Sequence, residues 1–218
     1  MTEQALPSEL LATAGDASTL VDTRNPFASA GYRVWWLASV VAGLGVGIQT
    51  TTVPLFIKDR VSVDHRELAI ATALICQQLP AALFALLGGV IADRVERRRI
   101  LVRTYAVAGC VSLAYVFLSG SGTSIIWPVF FLAALVGSAG AFTNPARQSM
   151  MPQILKSAQL QNGVIFGTMA FMASLQFVGP SVGGVIADSF SLTLAFACEV
   201  VLLCLAAIFF ISPPTQAL

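Results

Sequence analysis

The sequence predicts an all-α integral membrane protein with six transmembrane helices arranged as two inverted three-helix repeats. Three observations carry this. First, only 11% of the 218 residues are charged, 56% are hydrophobic, and the mean hydropathy is +0.81. A soluble domain carries roughly 25% charged residues. Second, a bilayer core takes about 20 apolar helical residues to cross, and such runs recur six times, at 34–57, 68–92, 100–118, 125–141, 162–187 and 192–211. Third, the hexapeptide Gly88-Gly89-Val90-Ile91-Ala92-Asp93 closes the second run and returns as Gly183-Gly184-Val185-Ile186-Ala187-Asp188 at the end of the fifth.

In chain order, residues 1–33 read as a polar cytoplasmic tail. They lack a basic start followed by an apolar core and a small-residue cleavage site, so a cleaved signal peptide is not expected. Residues 34–211 form the six-helix bundle and 212–218 a short cytoplasmic tail. Trp35, Trp36 and Trp127 lie near run ends, where amphipathic rings favour the membrane interface. The second and third runs are joined by Asp93-Arg94-Val95-Glu96-Arg97-Arg98-Arg99. Hydrocarbon cannot solvate such a cluster, so it belongs at a membrane face. Asn144-Pro145 should end the fourth helix, because the residue before proline avoids helical geometry. Pro213-Pro214 closes the sixth.

Lys and Arg counts orient the chain. With the N-terminus inside, Arg24, Arg33, Arg94, Arg97, Arg98, Arg99, Arg103, Arg147 and Lys156 are cytoplasmic; Lys58, Arg60 and Arg66 are outside. Nine against three obeys the positive-inside rule and puts both termini in the cytoplasm. Three spans separate the hexapeptides, an odd number, so the copies end on opposite faces. Their sequels agree: arginines follow the first, Ser189-Phe190-Ser191 the second. Inverted three-helix repeats are a transporter signature.

Composition excludes other classes. The arginines cluster at loops and leave no basic, aromatic-interleaved surface for nucleic acid. Cys76, Cys110, Cys198 and Cys204 lie inside apolar runs without a CxxC pair, and His65 is the single histidine. No metal site, cofactor or nucleophile–base pair is therefore expected.

Asp93 sits at the C-terminal end of its helix, where the dipole disfavours a carboxylate. It needs cations, and Arg94, Arg97 and Arg98 are near in sequence. Gly88 and Gly89 let a neighbouring helix approach. This stretch, from Gly89 through Asp93 and Arg94 to the arginines at 97–99, resembles the loop between the second and third helices of the major facilitator superfamily. Glu96 departs from the glycine often found there, and resembles the branch of the enterobactin exporter and macrolide-efflux proteins. The resemblance implies that Gly89, Asp93, Arg94, Arg97 and Arg98 form a gating latch, with Asp93 docking on a second helical bundle.

Gly179-Pro180-Ser181-Val182-Gly183-Gly184 in the fifth run combines a missing backbone donor with close-packing glycines. It resembles the fifth-helix motif of antiporter-type exporters, with Leu175 where a further glycine is usual. Residues 142–152, Phe142 to Pro152, resemble the same branch and read as structural first.

Glu199 lies deep in the sixth run, and an ionisable group there is a functional candidate by default. It reads as a proton carrier or as a neutral, hydrogen-bonded or snorkelling glutamate toward the outer face. Gln49, Gln77, Gln78 and Gln176 are amides inside spans. The resemblance makes Gln49, Gln77 and Gln176 candidate substrate contacts, although polar side chains also bond helices together. The run 125–141 carries no charge, where many proton-driven facilitators have an arginine; Glu199 is then the remaining intramembrane carboxyl.

Six spans are half of a facilitator fold. The resemblance implies a half-size secondary exporter of a siderophore or drug in the bacterial cytoplasmic (inner) membrane. Its partner would be a second six-helix bundle, either another copy or a separate C-terminal half. A non-transporting fragment or modulator of a full-length transporter is the alternative expectation.

Overall fold

A computed structural model of the chain describes residues 25–94, 96–121 and 126–211, with side chains described for all of these except 86–94. Among them, six helices are long and apolar enough to cross a membrane: α1 (Ala30–Arg60), α2 (Val63–Arg94), α3 (Arg97–Gly120), α4 (Trp127–Ile154), α5 (Ser157–Ser189) and α6 (Leu192–Ile211). No strand occurs among the described residues.

Each helix reaches past its apolar run because flanking residues can cap or extend it. α1 begins at Ala30, where the Ser29 Oγ accepts from the Tyr32 N–H at 3.4 Å. A single 3₁₀ turn, Pro26–Ala28, precedes it, capped by Asn25. At its far end Lys58 and Arg60 complement the helix dipole. Arg60 also donates to the Ser119 carbonyl at 3.0 Å, satisfying an end group of α3.

The fourth helix departs from expectation. It does not end at Asn144-Pro145 but runs on to Ile154 with Pro145 and Pro152 inside it. Proline in a helix interior costs about 3 kcal/mol. Ala146, Arg147, Met150, Met151 and Ile154 are all buried, and their packing offsets that cost. The extension also moves Arg147 from a loop into the bundle, so the fourth helix does carry a charge. The loop count becomes eight basic residues against three, and its direction is unchanged.

The helix contacts follow an exchange pattern. α3 packs along α6. α1 packs on α6 and α5, while α4 packs on α3 and α2. Exchanging α1–α3 for α4–α6 maps these pairs onto one another, as the repeated hexapeptide requires. Two aromatic stacks close the two ends of the α3–α6 pair. Tyr105 stacks on Phe210 at 5.7 Å, and Tyr115 on Phe196 at 5.1 Å. Each such pair adds roughly 0.5–1.5 kcal/mol beyond its area. One core cluster surrounds each stack, with Tyr32, Trp35 and Leu101 at one end and Phe56, Ile57 and Val111 at the other. α2 and α5 are the least covered helices, with Leu68 69%, Leu83 66%, Met169 65% and Phe177 73% exposed.

Candidate functional site

In lipid, apolar surface alone gives helices little reason to associate, so small residues and polar bonds must do so. α1 and α5 meet through glycines. A Cβ built on Gly179 would lie 2.7 Å from the Gly47 Cα and 2.8 Å from the Leu44 carbonyl oxygen. One on Gly47 would lie 2.9 Å from the Gly179 Cα, and one on Gly183 would meet the Ile48 backbone at 3.1 Å. Gly184 is different: its nearest neighbour would be the Thr51 Cγ2 at an ordinary 3.8 Å. Two of the four motif residues, Gly179 and Gly183, thus shape the contact. Its other half, Gly43 and Gly47 on α1, is absent from the sequence reading. Their i, i+4 spacing was the available signal.

Pro180 explains the local backbone. Its ring would clash with the carbonyl four residues back in a regular helix. The chain instead widens to a π turn at Ser174–Val178, and the Gly179 N–H donates five residues back to the Ser174 carbonyl. Such turns mark functional positions in many helices. Gln176 stands on this turn and is exposed.

Two of the amides come together. Gln49 on α1 and Gln77 on α2 line one cavity of about 60 Å³, with Thr50, Val53, Ile70 and Tyr115. Gly137 on α4 lets α2 pack close at Gln77, because a side chain there would collide with the Gln77 carbonyl. At ~30 Å³ per water the cavity holds about two waters, whereas drug-sized ligands take roughly 300–1,000 Å³. It can seat a substituent, not a whole drug. Gln176 and Glu199 are not among its walls.

Glu199 is 0% exposed and faces α3. The Ser112 Oγ lies 2.6 Å from Glu199 Oε1 and 2.9 Å from the Ala108 carbonyl oxygen. A hydroxyl has one hydrogen. That hydrogen goes to Glu199 Oε1 at the shorter distance or is shared with the Ala108 carbonyl as a three-centre bond. Glu199 Oε2 has no partner among the described residues.

At the α2–α3 connection, Arg97 donates to the Ser149 carbonyl and Arg98 Nε to the Phe210 carbonyl, both at 2.6 Å. These two arginines tie α3 to α4 and to the C-terminal end of α6, where cations suit the dipole. Arg99 pairs with Glu96 at 2.6 Å on the surface, which contributes little. The side chains of Gly89, Asp93 and Arg94 lie outside the described residues.

A family model for transmembrane secretion effectors, a branch of the major facilitator superfamily, matches residues 21–215 and so takes in all six helices. The chain belongs to that family. Among curated relatives, this facilitator is 27% identical over 183 residues to the multidrug resistance protein MdtG of Proteus mirabilis, covering 81% of this chain and 44% of MdtG. It is 27% identical over 177 residues to the multi-drug resistance efflux pump PmrA of Streptococcus pneumoniae, covering 75% of this chain and 40% of PmrA. The facilitator chain thus spans less than half the length of these relatives. No solved structure matches it significantly.

Proposed function

We propose that this bundle is one half of a secondary exporter that moves a small hydrophobic molecule by alternating access against a second six-helix bundle. The observation that carries the reading is the family match across all six helices. The multidrug names of both relatives favour a drug as the substrate, and the resemblance at Glu96 adds a siderophore as the other candidate. The open α2 and α5 faces are where a companion bundle would sit, another copy or a C-terminal half. Gln49, Gln77 and Gln176 would then reach the substrate from α1, α2 and α5. Loop charges, eight against three, favour the bacterial cytoplasmic membrane with the α2–α3 connection and both bundle ends inside. Residues 1–33 and 212–218 would be the flanking cytoplasmic segments. No enzymatic step is assigned.

In this reading Asp93 and Arg94 form the latch to the companion bundle, while Arg97 and Arg98 hold the connection on its own bundle. The test is dye retention in drug-hypersensitive bacteria that make the chain together with a companion bundle. Retention should fall, and Asp93→Asn should cut efflux about tenfold, the loss of one charge-assisted hydrogen bond, without changing membrane insertion. Unchanged retention with every companion tried would reject export. Full efflux by Asp93→Asn would reject the latch.

A further inference from the structure

The outward side of α3 ends in a cation. Arg103, Val107, Cys110, Leu113 and Phe117 recur at three- and four-residue spacing and are all exposed, so they form one stripe along the helix. α3 has 24 residues, and about 20 are needed to cross the hydrocarbon. Arg103 is the seventh and so stands at the hydrocarbon edge. It makes no hydrogen bond or ion pair among the described residues. A cation at that depth, unanswered by protein, must be answered by water or by a lipid phosphate.

Arg103 also lines an open pocket of about 460 Å³, together with Glu96, Arg98, Arg99, Val102 and Ile211. That is the size of a small-ligand site, roughly 300–1,000 Å³. Arg99 and Arg103 lie one turn apart on the same helix. Arg98 is fixed from α6: its Nε donates to the Phe210 carbonyl at 2.6 Å, which leaves its terminal N–H groups for another acceptor. Glu96 pairs with Arg99 at 2.6 Å. Three arginines against one glutamate leave the pocket with a net charge of +2. Its apolar wall continues down α6, where Ile208 and Ile211 are exposed. Cations thus cap a strip of apolar surface at the edge of the membrane. A soluble anion matches only the cap; a phospholipid matches both parts.

We propose that this pocket, between the start of α3 and the end of α6, binds the headgroup of an anionic phospholipid. Arg98, Arg99 and Arg103 hold the phosphate, and an acyl chain lies against Val102, Ile208 and Ile211. A planar fork of N–H donors matches two phosphate oxygens in a way a point charge does not. Basic pockets between membrane spans are recurrent headgroup sites. Such a site is independent of the export reading.

The test melts the chain in phosphatidylcholine nanodiscs doped with rising fractions of phosphatidylglycerol at constant ionic strength. Tm should rise saturably, by several degrees once the site is full. Arg103→Gln removes an exposed charge, so its Tm in undoped discs should stay within a degree or so of the parent. It should raise the phosphatidylglycerol fraction at half-saturation about fivefold, the share of one arginine near the membrane surface. Arg33→Gln is the control. It removes an exposed charge from the same end of the bundle, where Tyr32 packs with Leu101 and Phe210, but from outside the pocket. Its half-saturation should equal the parent's. A second arm gives undoped discs soluble glycerophosphate, which should leave Tm unmoved. No saturable rise with phosphatidylglycerol, or an unchanged one in Arg103→Gln, would overturn the site. Equal weakening in Arg103→Gln and Arg33→Gln would reduce it to diffuse surface charge and overturn it too. A saturable rise with glycerophosphate to match phosphatidylglycerol would overturn the lipid as its ligand.

Discussion

Gly179→Val is expected to abolish export and to lower the yield of folded protein sharply. The first added carbon would sit 2.7 Å from the Gly47 Cα and 2.8 Å from the Leu44 and Ser174 carbonyl oxygens. These are backbone atoms, so no rotamer change relieves the clash. Overpacking a tight contact costs roughly 1–3 kcal/mol, occasionally more, and valine adds two further methyl groups. α1 and α5 must separate, and the π turn that presents Gln176 must move with them. Gly47→Val should behave alike, since its Cβ would lie 2.9 Å from the Gly179 Cα and from the Leu175 and Ser174 carbonyl oxygens. The double variant should cost less than the sum, because both changes break one contact. Gly184→Ala is the control: its Cβ would meet the Thr51 Cγ2 at 3.8 Å, and its melting temperature should stay within a degree or so of the parent, as expected for a change of under about 0.5 kcal/mol. Melting curves in detergent together with efflux assays read all four. A Gly179→Val chain as stable and active as the parent would mean that α1 and α5 do not interlock this way.

On the proposed export reading with Glu199 as proton carrier, Glu199→Gln is expected to leave the fold intact and flatten the pH dependence of export. The amide oxygen can accept from the Ser112 Oγ as the carboxyl oxygen does, so the α3–α6 bond survives. What disappears is the exchangeable proton. Glu199→Ala differs, since it removes the partner of a fully buried hydroxyl and leaves a void, together costing about 2–4 kcal/mol. The pair of variants separates the two roles of this residue. Loss of pH dependence in Glu199→Gln at unchanged stability marks a proton carrier. An unchanged pH profile in Glu199→Gln, with destabilisation only in Glu199→Ala, marks a clamp between α3 and α6 and removes the proton-carrying role.

The spans were legible because length and hydropathy alone decide whether a helix can cross a bilayer. The repeat was legible because the hexapeptide is identical at 88–93 and 183–188, and the helix contacts obey its symmetry. The end of α4 was not. Asn144-Pro145 is a sound local stop signal, and tertiary burial of Met150, Met151 and Ile154 overrides it. That one override hid Arg147, which reads as a loop cation in sequence and is a buried one in the fold. Depth in its run singled out Glu199, but Ser112 lies 87 residues away, beyond any local pattern. Gln49 and Gln77 were recognised singly. Their meeting at one cavity depends on how α1 and α2 are placed in the bundle, which no spacing announces. Gly43 and Gly47 carry a readable signal in their i, i+4 spacing, but small residues so spaced do not say which helix they meet.

The alternating-access reading requires a second bundle, and counting protomers per vesicle tests it most directly. The chain is labelled, reconstituted into liposomes across a dilution series, and dye movement is scored by the number of protomers each vesicle holds. Vesicles with one protomer should be silent, and activity should appear only with a second copy or a co-reconstituted companion half. Solute movement by vesicles holding a lone protomer would contradict the account.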